Sequence, residues 1–275
     1  MLKKIKKAAD FIKSKFPDFH SETGIILGSG LGRLSEEVEI IDKIPYGKIP
    51  GFKTSTVKGH NGILIYGKLA GVKVLVMDGR IHYYEGYSMK NVTFPERVMN
   101  SLGIKYLLLS NAAGGMNQNF KVGDLMIIND HINMFPEHPL RGKNEDTLGP
   151  RFPAMKDVYD KELIQMAKDI AVENNIEIEE GVYVGVQGPA YETPSEYRLY
   201  HGWKGDAVGM STVPEAIVAH HMNMKVFGIS VITDMWRPDD PQDVSHEEVQ
   251  KMAKMAEPRM ALIFRELVKK IKEQK

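Results

Sequence analysis

The sequence predicts an α/β protein whose single domain, residues 1–275, has a central mixed, twisted β-sheet flanked by helices. Short apolar, β-branched runs alternate with longer helical patterns along the whole chain, which is typical of this class. Runs 63–69 and 72–77 are separated only by Ala70 and Gly71, so we expect a hairpin, which makes the sheet mixed. Neither an internal repeat nor a linker-like change of composition divides the chain.

Each predicted strand is a short apolar run that ends near Gly, Asn, Asp or Ser. In chain order the predicted strands are 24–27, 63–69, 72–77, 106–109, 125–128, 182–186 and 226–232. Helices are predicted where apolar residues recur at intervals of three and four, at 1–16, 94–102, 161–174, 194–200, 214–222 and 245–272. The longest stretch without either pattern, 133–157, has the length of a functional or interfacial loop.

Composition and charge exclude several classes of protein. Lys and Arg number 36, as do Asp and Glu, so the formal net charge is zero and no nucleic-acid partner is expected. No stretch approaches the roughly 18 apolar residues of a membrane helix, and we interpret the lysines of the first helix as a solvated face. The chain has no cysteine, which excludes thiolate catalysis and agrees with a reducing, cytoplasmic location. The histidines show no metal-binding spacing, so no metal is predicted.

Two motifs near the start of the chain indicate an anion site. Residues 28–32 (GSGLG) follow the first strand, and their glycines let backbone N–H groups face an anion. Arg33 stands where a dinucleotide-binding fingerprint would need its third glycine, so that fingerprint is absent. The alternative to an anion site at residues 28–32 is a plain tight turn. Arg80 and His82 follow the run 72–77, and their spacing puts both on one side of an extended segment, as donors for a tetrahedral oxyanion. Taken singly, each could instead be a surface ion pair.

Two further motifs lie after buried strands. Residues 111–115 (NAAGG) are small enough for a ligand to approach the backbone, or they form a tight strand-to-loop turn. In residues 187–194 (QGPAYETP), Thr193 is expected to cap a helix that begins with proline. Tyr191 and Glu192 are not explained by capping. An aromatic ring beside a carboxylate suits a flat heterocycle, which can stack on the ring and form a hydrogen bond with the carboxylate.

Polar residues near the end of the chain complete the set of candidates. Ser211 lies near a predicted helix N-terminus, where anions are favoured, although capping would also account for Ser211 or Thr212. Asp234 ends the most apolar strand, and ligand sites of α/β sheets lie at such carboxyl ends. His246 opens the last helix; a surface position in the first turn is the alternative.

In this order, the motifs resemble those of the trimeric, low-molecular-mass purine nucleoside phosphorylases. The resemblance covers nearly the whole chain and runs through GIILGSGLG, GHNG (59–62), GRIHYYEGY, NAAGG, HPLRGKN, GPRFPAM, GPAYETPSEYR, DAVGMSTVPEAIVAHH and SHEEV. It implies a homotrimer that performs reversible phosphorolysis of purine nucleosides to the free base and ribose 1-phosphate. Inorganic phosphate would be the co-substrate, and no cofactor is implied.

The resemblance also implies roles for individual residues. Those that match its phosphate site are Ser29, His60, Arg80, His82, Ala112 through its backbone N–H, and Ser211. Those that match its nucleoside site are Tyr84, Met210 and His246 at the ribose, and Tyr191, Glu192 and Asp234 at the base. Phe152 matches the aromatic residue that closes the ribose site of a neighbouring subunit. The residues expected to take part in catalysis are His82, Glu192, Asp234 and His246.

The base specificity depends on two carboxyl groups. An ionised Glu192 accepts from the N1–H of hypoxanthine or guanine, which adenine lacks, so inosine, guanosine and their deoxy forms are the expected substrates. Asp234 departs from the family pattern, because many members carry Asn there. An ionised carboxylate only accepts, so Asp234 either keeps a proton and acts as a general acid at purine N7, or favours a 6-amino group. It could also face a water or a cation and contribute little.

Three other functions remain open from the sequence. A methylthioadenosine or adenosine phosphorylase is favoured by Asp234 but not by Glu192 and His246. A nucleoside-binding protein without catalysis would leave the phosphate motifs without a role. A hydrolase would not consume phosphate, so Arg80 and Ser211 would have no evident purpose.

Overall fold

The computed structural model describes residues 1–57, 60–238 and 245–274. Its strands are β1 Thr23–Ile26, β2 Glu39–Pro45, β3 Ile63–Leu69, β4 Val72–Asp78, β5 Tyr106–Gly115, β6 Leu125–Asn133, β7 Glu179–Gly185, β8 Ala207–Gly209 and β9 Lys225–Met235. In the described part of the chain they form one nine-stranded mixed sheet in the order β2-β3-β4-β1-β5-β8-β7-β6-β9. The predicted mixed α/β fold is therefore confirmed.

The sheet closes on itself at one end. Strand β9 pairs in parallel with β5 as well as antiparallel with β6, so β5, β8, β7, β6 and β9 form a ring. Strands β2, β3, β4 and β1 extend from this ring, and β1 pairs in parallel with both β4 and β5. The predicted hairpin is confirmed, since β3 and β4 are antiparallel across Ala70 and Gly71.

Helices pack against the sheet and against each other. They are α1 Leu2–Lys15, α2 Met89–Val92, α3 Phe94–Ser101, α4 Lys161–Glu173, α5 Pro194–Gly202, α6 Val213–His221 and α7 His246–Glu273, with 3₁₀ turns at Gly32–Glu37, Tyr46–Lys48 and Tyr83–Glu85. Helix α7 lies against β9 and also contacts α4, while α1 packs on α3. Within the described residues, no helix is both long enough and apolar enough to span a membrane.

The structure corrects several predicted boundaries. Strand β2 was not predicted, because it is an edge strand whose Ile40 and Ile41 face solvent and only Ile44 is buried. Strand β8 was not predicted either, because its three residues are too few to show an apolar run. Strands β5 and β6 run well beyond the apolar stretches 106–109 and 125–128, because neighbours in the ring continue to pair with them.

This extension overturns one of the two interpretations of the NAAGG motif. The NAAGG motif is not a strand-to-loop turn, because residues 111–115 lie inside β5 and pair with β9. The prediction that Asp234 lies at the carboxyl end of the last strand is confirmed, because it is the penultimate residue of β9 and pairs with Gly114. A side chain on Gly114 would place its Cβ 2.9 Å from Asp234 Oδ2, so it would displace the Asp234 carboxyl group from its present position.

Helix α5 begins with the capping motif that the sequence predicts. The Thr193 hydroxyl accepts a hydrogen bond from the backbone N–H of Glu196 at 3.3 Å, and the Glu196 carboxylate accepts from the backbone N–H of Thr193 at 2.8 Å. Pro194 occupies the first helical position, where no N–H is needed. This start holds the preceding residues, Tyr191 and Glu192, in place.

Replacing Thr193 tests the importance of this cap. Thr193→Ala is expected to lower the free energy of unfolding by about 1 kcal/mol, because it leaves an N–H at the start of α5 without a partner. Thr193→Ser keeps the hydroxyl and is the matched control. Urea unfolding followed by circular dichroism measures both, and equal stabilities of the two variants would contradict the prediction.

Candidate active site

A cleft lies at the carboxyl ends of β1, β4, β5 and β9 and brings together most of the predicted site residues. Among the residues that line it are Ser29, Arg80, His82, Tyr84, Ala112, Tyr191, Glu192, Met210, Ser211, Asp234 and His246. His60 lies behind this wall, and Phe152 lies away from the cleft. Gly59 of the GHNG motif is outside the described residues.

Arg80 is held rigidly at one end of the cleft. Its side chain is 2% exposed, and its Nε donates to Glu215 Oε1 at 3.0 Å. Nη1 donates to the Ser110 carbonyl oxygen at 2.6 Å and lies 3.4 Å from Ser211 Oγ, while Nη2 is buried without a partner among the described residues. The surface ion pair considered for Arg80 is therefore wrong. Nε and Nη1 of the guanidinium are therefore held by protein partners, and Nη2 is available to an anion.

His60 links Arg80 to Ser29 through its two ring nitrogens. Nδ1 accepts from the Arg80 backbone N–H at 3.2 Å, so the proton is assigned to Nε2, which lies 3.0 Å from Ser29 Oγ. Burial lowers the pKa of His60 to about 3, and its neighbours His82 and Arg80 also act to lower it, so the ring stays neutral. Because Ser29 accepts from His60, its own O–H is free to donate into the cleft.

His82 is held in place by Glu85. The His82 backbone N–H donates to Glu85 Oε1 at 2.6 Å, and His82 Nδ1 lies 3.5 Å from the same oxygen. Burial lowers the pKa of His82, against the opposing effect of Glu85. Burial acts to raise the pKa of Glu85, but hydrogen bonds from His82 and Thr56 outweigh it and lower that pKa to about 2. A neutral imidazole thus stands beside a fixed carboxylate, and its ring stacks on Tyr84 at 4.7 Å.

Ser211 faces the cleft from the turn before α6. Thr212, the residue at the cap position, has φ +68° and makes no capping hydrogen bond. Its hydroxyl instead accepts from Asn111 Nδ2 at 2.9 Å and lies 3.1 Å from Ser211 Oγ. The capping interpretation is wrong for both residues. The strained turn presents the Ser211 hydroxyl beside Arg80.

The other end of the cleft carries two carboxyl groups with raised pKa values. Burial raises the pKa of Asp234, although Thr233 Oγ1 donates to its Oδ1 at 2.9 Å. Burial also raises the pKa of Glu192, and the charge of Asp234 adds to this effect. Tyr191 stands beside them with 41% of its surface exposed. Tyr197 also lines this end and stacks on Trp236 at 5.7 Å.

Tyr84, Met210 and His246 also line the cleft. His246 is the first residue of α7, and its Nε2 lies 3.0 Å from Gln250 Nε2, which can only donate. The proton of His246 is therefore assigned to Nδ1. Phe152, outside the cleft, is 87% exposed, and the Arg151 guanidinium lies 5.4 Å from its ring centroid.

Several residues that shape the site were not among the sequence candidates. Glu215 pairs with Arg80, Glu85 holds His82, Asn111 holds Thr212, and Tyr197 completes the wall at Glu192. Glu215 stands in the first turn of α6, where an acidic residue is ordinarily explained by the helix dipole. Within the described residues, no group of three or more His, Cys, Asp or Glu could hold a metal ion.

The cleft combines hydrogen-bond donors that suit an anion with an aromatic ring and carboxyl groups that suit a flat base. This combination is typical of a nucleoside-cleaving enzyme that uses phosphate. Comparisons with known proteins agree. Residues 22–269 match the family model described as "Phosphorylase superfamily". The chain belongs to this superfamily and, within it, to the purine nucleoside phosphorylases, which are pentosyl-transferring enzymes.

Individual relatives support this assignment over most of their length. Purine nucleoside phosphorylase 1 of Geobacillus stearothermophilus is 55% identical over 89% of both chains. The Bos taurus purine nucleoside phosphorylase is 46% identical over 86% of this chain and 84% of its own. Among solved structures, isoform 2 of the Schistosoma mansoni enzyme, in complex with cytosine and ribose-1-phosphate, has a TM-score of 0.92 at 41% identity. It covers 97% of this chain and 95% of its own.

The buried pair of Arg80 and Glu215 generates a stability prediction. Glu215→Leu is expected to cost about 3–5 kcal/mol of unfolding free energy, because it leaves a buried guanidinium without its carboxylate. Arg80→Met combined with Glu215→Leu should cost less than the sum of the single changes. Urea unfolding of the three variants measures this coupling.

An exposed ion pair provides the control for this cycle. Lys168 and Glu180 lie 2.8 Å apart with 45% and 35% of their side chains exposed, and Glu180→Gln should cost only about 0–1 kcal/mol. Additive single-variant losses at Arg80 and Glu215 would contradict the interpretation of a mutually dependent buried pair.

Proposed function

We propose that the enzyme cleaves 6-oxopurine nucleosides, inosine and guanosine and their deoxy forms, with inorganic phosphate as second substrate. The observation that carries this proposal is the pair of partly buried carboxyl groups, Glu192 and Asp234, in the wall of the cleft. An oxopurine offers N1–H as a donor and N7 as an acceptor. One carboxylate and one carboxylic acid match this pair of groups.

Phosphate is proposed to bind between Arg80, Ser29, Ser211, His82 and the backbone N–H of Ala112. The unpartnered Nη2 of Arg80 and the outward hydroxyl of Ser29 are available donors at this end. The neutral ring of His82 adds a donor and no net charge. Phosphate oxygen bonds to C1′ as the bond from C1′ to the purine breaks, and no protein nucleophile takes part.

The departing base is proposed to be stabilised by both carboxyl groups. Electrons of the broken bond move into the purine ring, which takes a proton at N7 from Asp234. Glu192, ionised, accepts from N1–H, and its negative charge together with the bound phosphate favours the protonated form of Asp234. Tyr191 contributes a ring face for the base, Tyr84 and Met210 contact the ribose, and His246 binds the 5′-hydroxyl.

A homotrimer in which Phe152 closes the ribose site of a neighbouring subunit is part of the same proposal. The supporting observation is that Phe152 is exposed and lies outside its own cleft. Burying an exposed aromatic side chain against another subunit is favourable. The cytoplasmic location and the absence of a cofactor stay predictions.

Base release from inosine and from adenosine, each with and without phosphate, tests the substrate proposal. We expect phosphate-dependent release of hypoxanthine and much slower release of adenine, because a site built around N1–H rejects the base that lacks it. Ultraviolet absorbance follows both reactions. Comparable use of adenosine would overturn the 6-oxopurine proposal, and cleavage without phosphate would overturn the proposed mechanism.

Replacement of Asp234 tests its proposed proton. Asp234→Asn keeps a donor toward N7, so inosine phosphorolysis should remain within about tenfold of the original rate, whereas any adenosine cleavage should fall. Asp234→Ala removes the donor and should reduce both activities. An unchanged ratio of inosine to adenosine cleavage in Asp234→Asn would contradict the role of Asp234.

A 6-aminopurine phosphorylase is the second candidate, and the same carboxyl group favours it. An ionised Asp234 would accept from the 6-amino group of adenine. Methylthioadenosine, which also lacks the 5′-hydroxyl proposed to bind His246, is therefore the informative third substrate. Its faster cleavage than inosine would favour this candidate.

A further inference from the structure

A second cavity, separate from the catalytic cleft, collects positive charge. Its volume is about 310 Å³, within the ~300–1,000 Å³ of small-molecule sites, and it shares no lining residue with the cleft. Cationic side chains reach it from α1, α2, α3 and the long loop after β6; they are Lys4, Lys90, Arg97, Arg141 and Lys143. Glu145 is the one carboxylate among the described lining residues.

These cations are not neutralised by the part of the chain that the structure describes. Lysines elsewhere form ion pairs, such as Lys6 with Asp10 on the same helix α1 and Lys105 with Glu22. None of the cations in the cavity wall lies within 4.0 Å of a carboxylate in the described ranges. Like charges gathered around one space repel each other, and a bound anion relieves this repulsion.

Arg97 shows that the cavity is more than a group of surface lysines. It is only 7% exposed, and its Nε is buried without a hydrogen-bond partner among the described residues. Burial and the charge of Glu215 raise the pKa of the neighbouring Glu96, so Glu96 offsets the charge of Arg97 only in part, as does the more distant Glu145. Burial itself lowers the pKa of Arg97. A buried guanidinium without an anion is costly, so the site is incomplete as it stands.

We propose that this cavity binds a small molecule with two phosphate groups. A guanidinium matches phosphate oxygens in a fork, while the ammonium groups of Lys90 and Lys143 act as point charges. Cations converge from four separate segments of the chain, and their combined positive charge exceeds the negative charge of a single phosphate group. A diphosphate offers these cations two phosphate groups and more negative charge than a single phosphate does.

Calorimetric titration of the full chain with inorganic pyrophosphate at low salt tests the proposal. Lys90 and Lys143 are exposed, so Lys90→Gln combined with Lys143→Gln is expected to leave the fold and the phosphorolysis of inosine unchanged. It should weaken pyrophosphate binding by about tenfold or more, because two charge-assisted contacts are lost. Orthophosphate should bind to the cavity at least about tenfold more weakly than pyrophosphate.

Two controls separate this site from general charge and from the cleft. Lys13→Gln with Lys156→Gln removes the same charge from exposed positions outside the cavity and should bind pyrophosphate like the original chain. Ser29→Ala with Ser211→Ala alters the catalytic cleft and should leave the cavity's affinity intact. The proposal is overturned by absence of binding, by equal losses in both lysine pairs, or by a loss confined to the serine variant.

Discussion

The ion pair between Arg80 and Glu215 is the interaction on which the geometry of the candidate active site depends. A guanidinium that is 2% exposed needs a carboxylate to remain in the protein interior, and Glu215 on α6 provides it. Nη1 of Arg80 donates to the Ser110 carbonyl of β5 and lies near Ser211 Oγ. One buried pair therefore joins β4, β5 and α6 at the point where the cleft opens.

Closure of the sheet supplies the rest of the geometry. Because β9 pairs with both β5 and β6, the strands that carry Ala112 and Asp234 lie side by side, and β8 delivers Met210 and Ser211 from the other side of β5. Close approach needs small residues, and Gly114 opposite Asp234 meets this need. The small residues of the NAAGG motif are thus explained by strand packing around a ligand site.

The sequence allowed the mixed α/β fold and the cluster of cleft residues to be predicted, for different physical reasons. Apolar periodicity marked the buried strands, but β2 has an exposed face and β8 is too short to show a period. Motif chemistry marked residues that point into the cleft, such as Glu192 and His82. It did not mark Glu215 or Glu85, because residues that hold others in place depend on contacts between elements distant in sequence.

The neutral His60 between Arg80 and Ser29 has a consequence for how the enzyme responds to acidity. With a pKa of about 3, its ring keeps its single proton on Nε2 throughout the pH range in which proteins are ordinarily handled. The hydrogen bonds from the Arg80 backbone N–H to His60 and from His60 to Ser29 therefore form a relay whose direction is fixed. The Ser29 hydroxyl points the same way in mild acid and in mild base. A pH dependence of turnover would therefore not arise from a reversal of this relay.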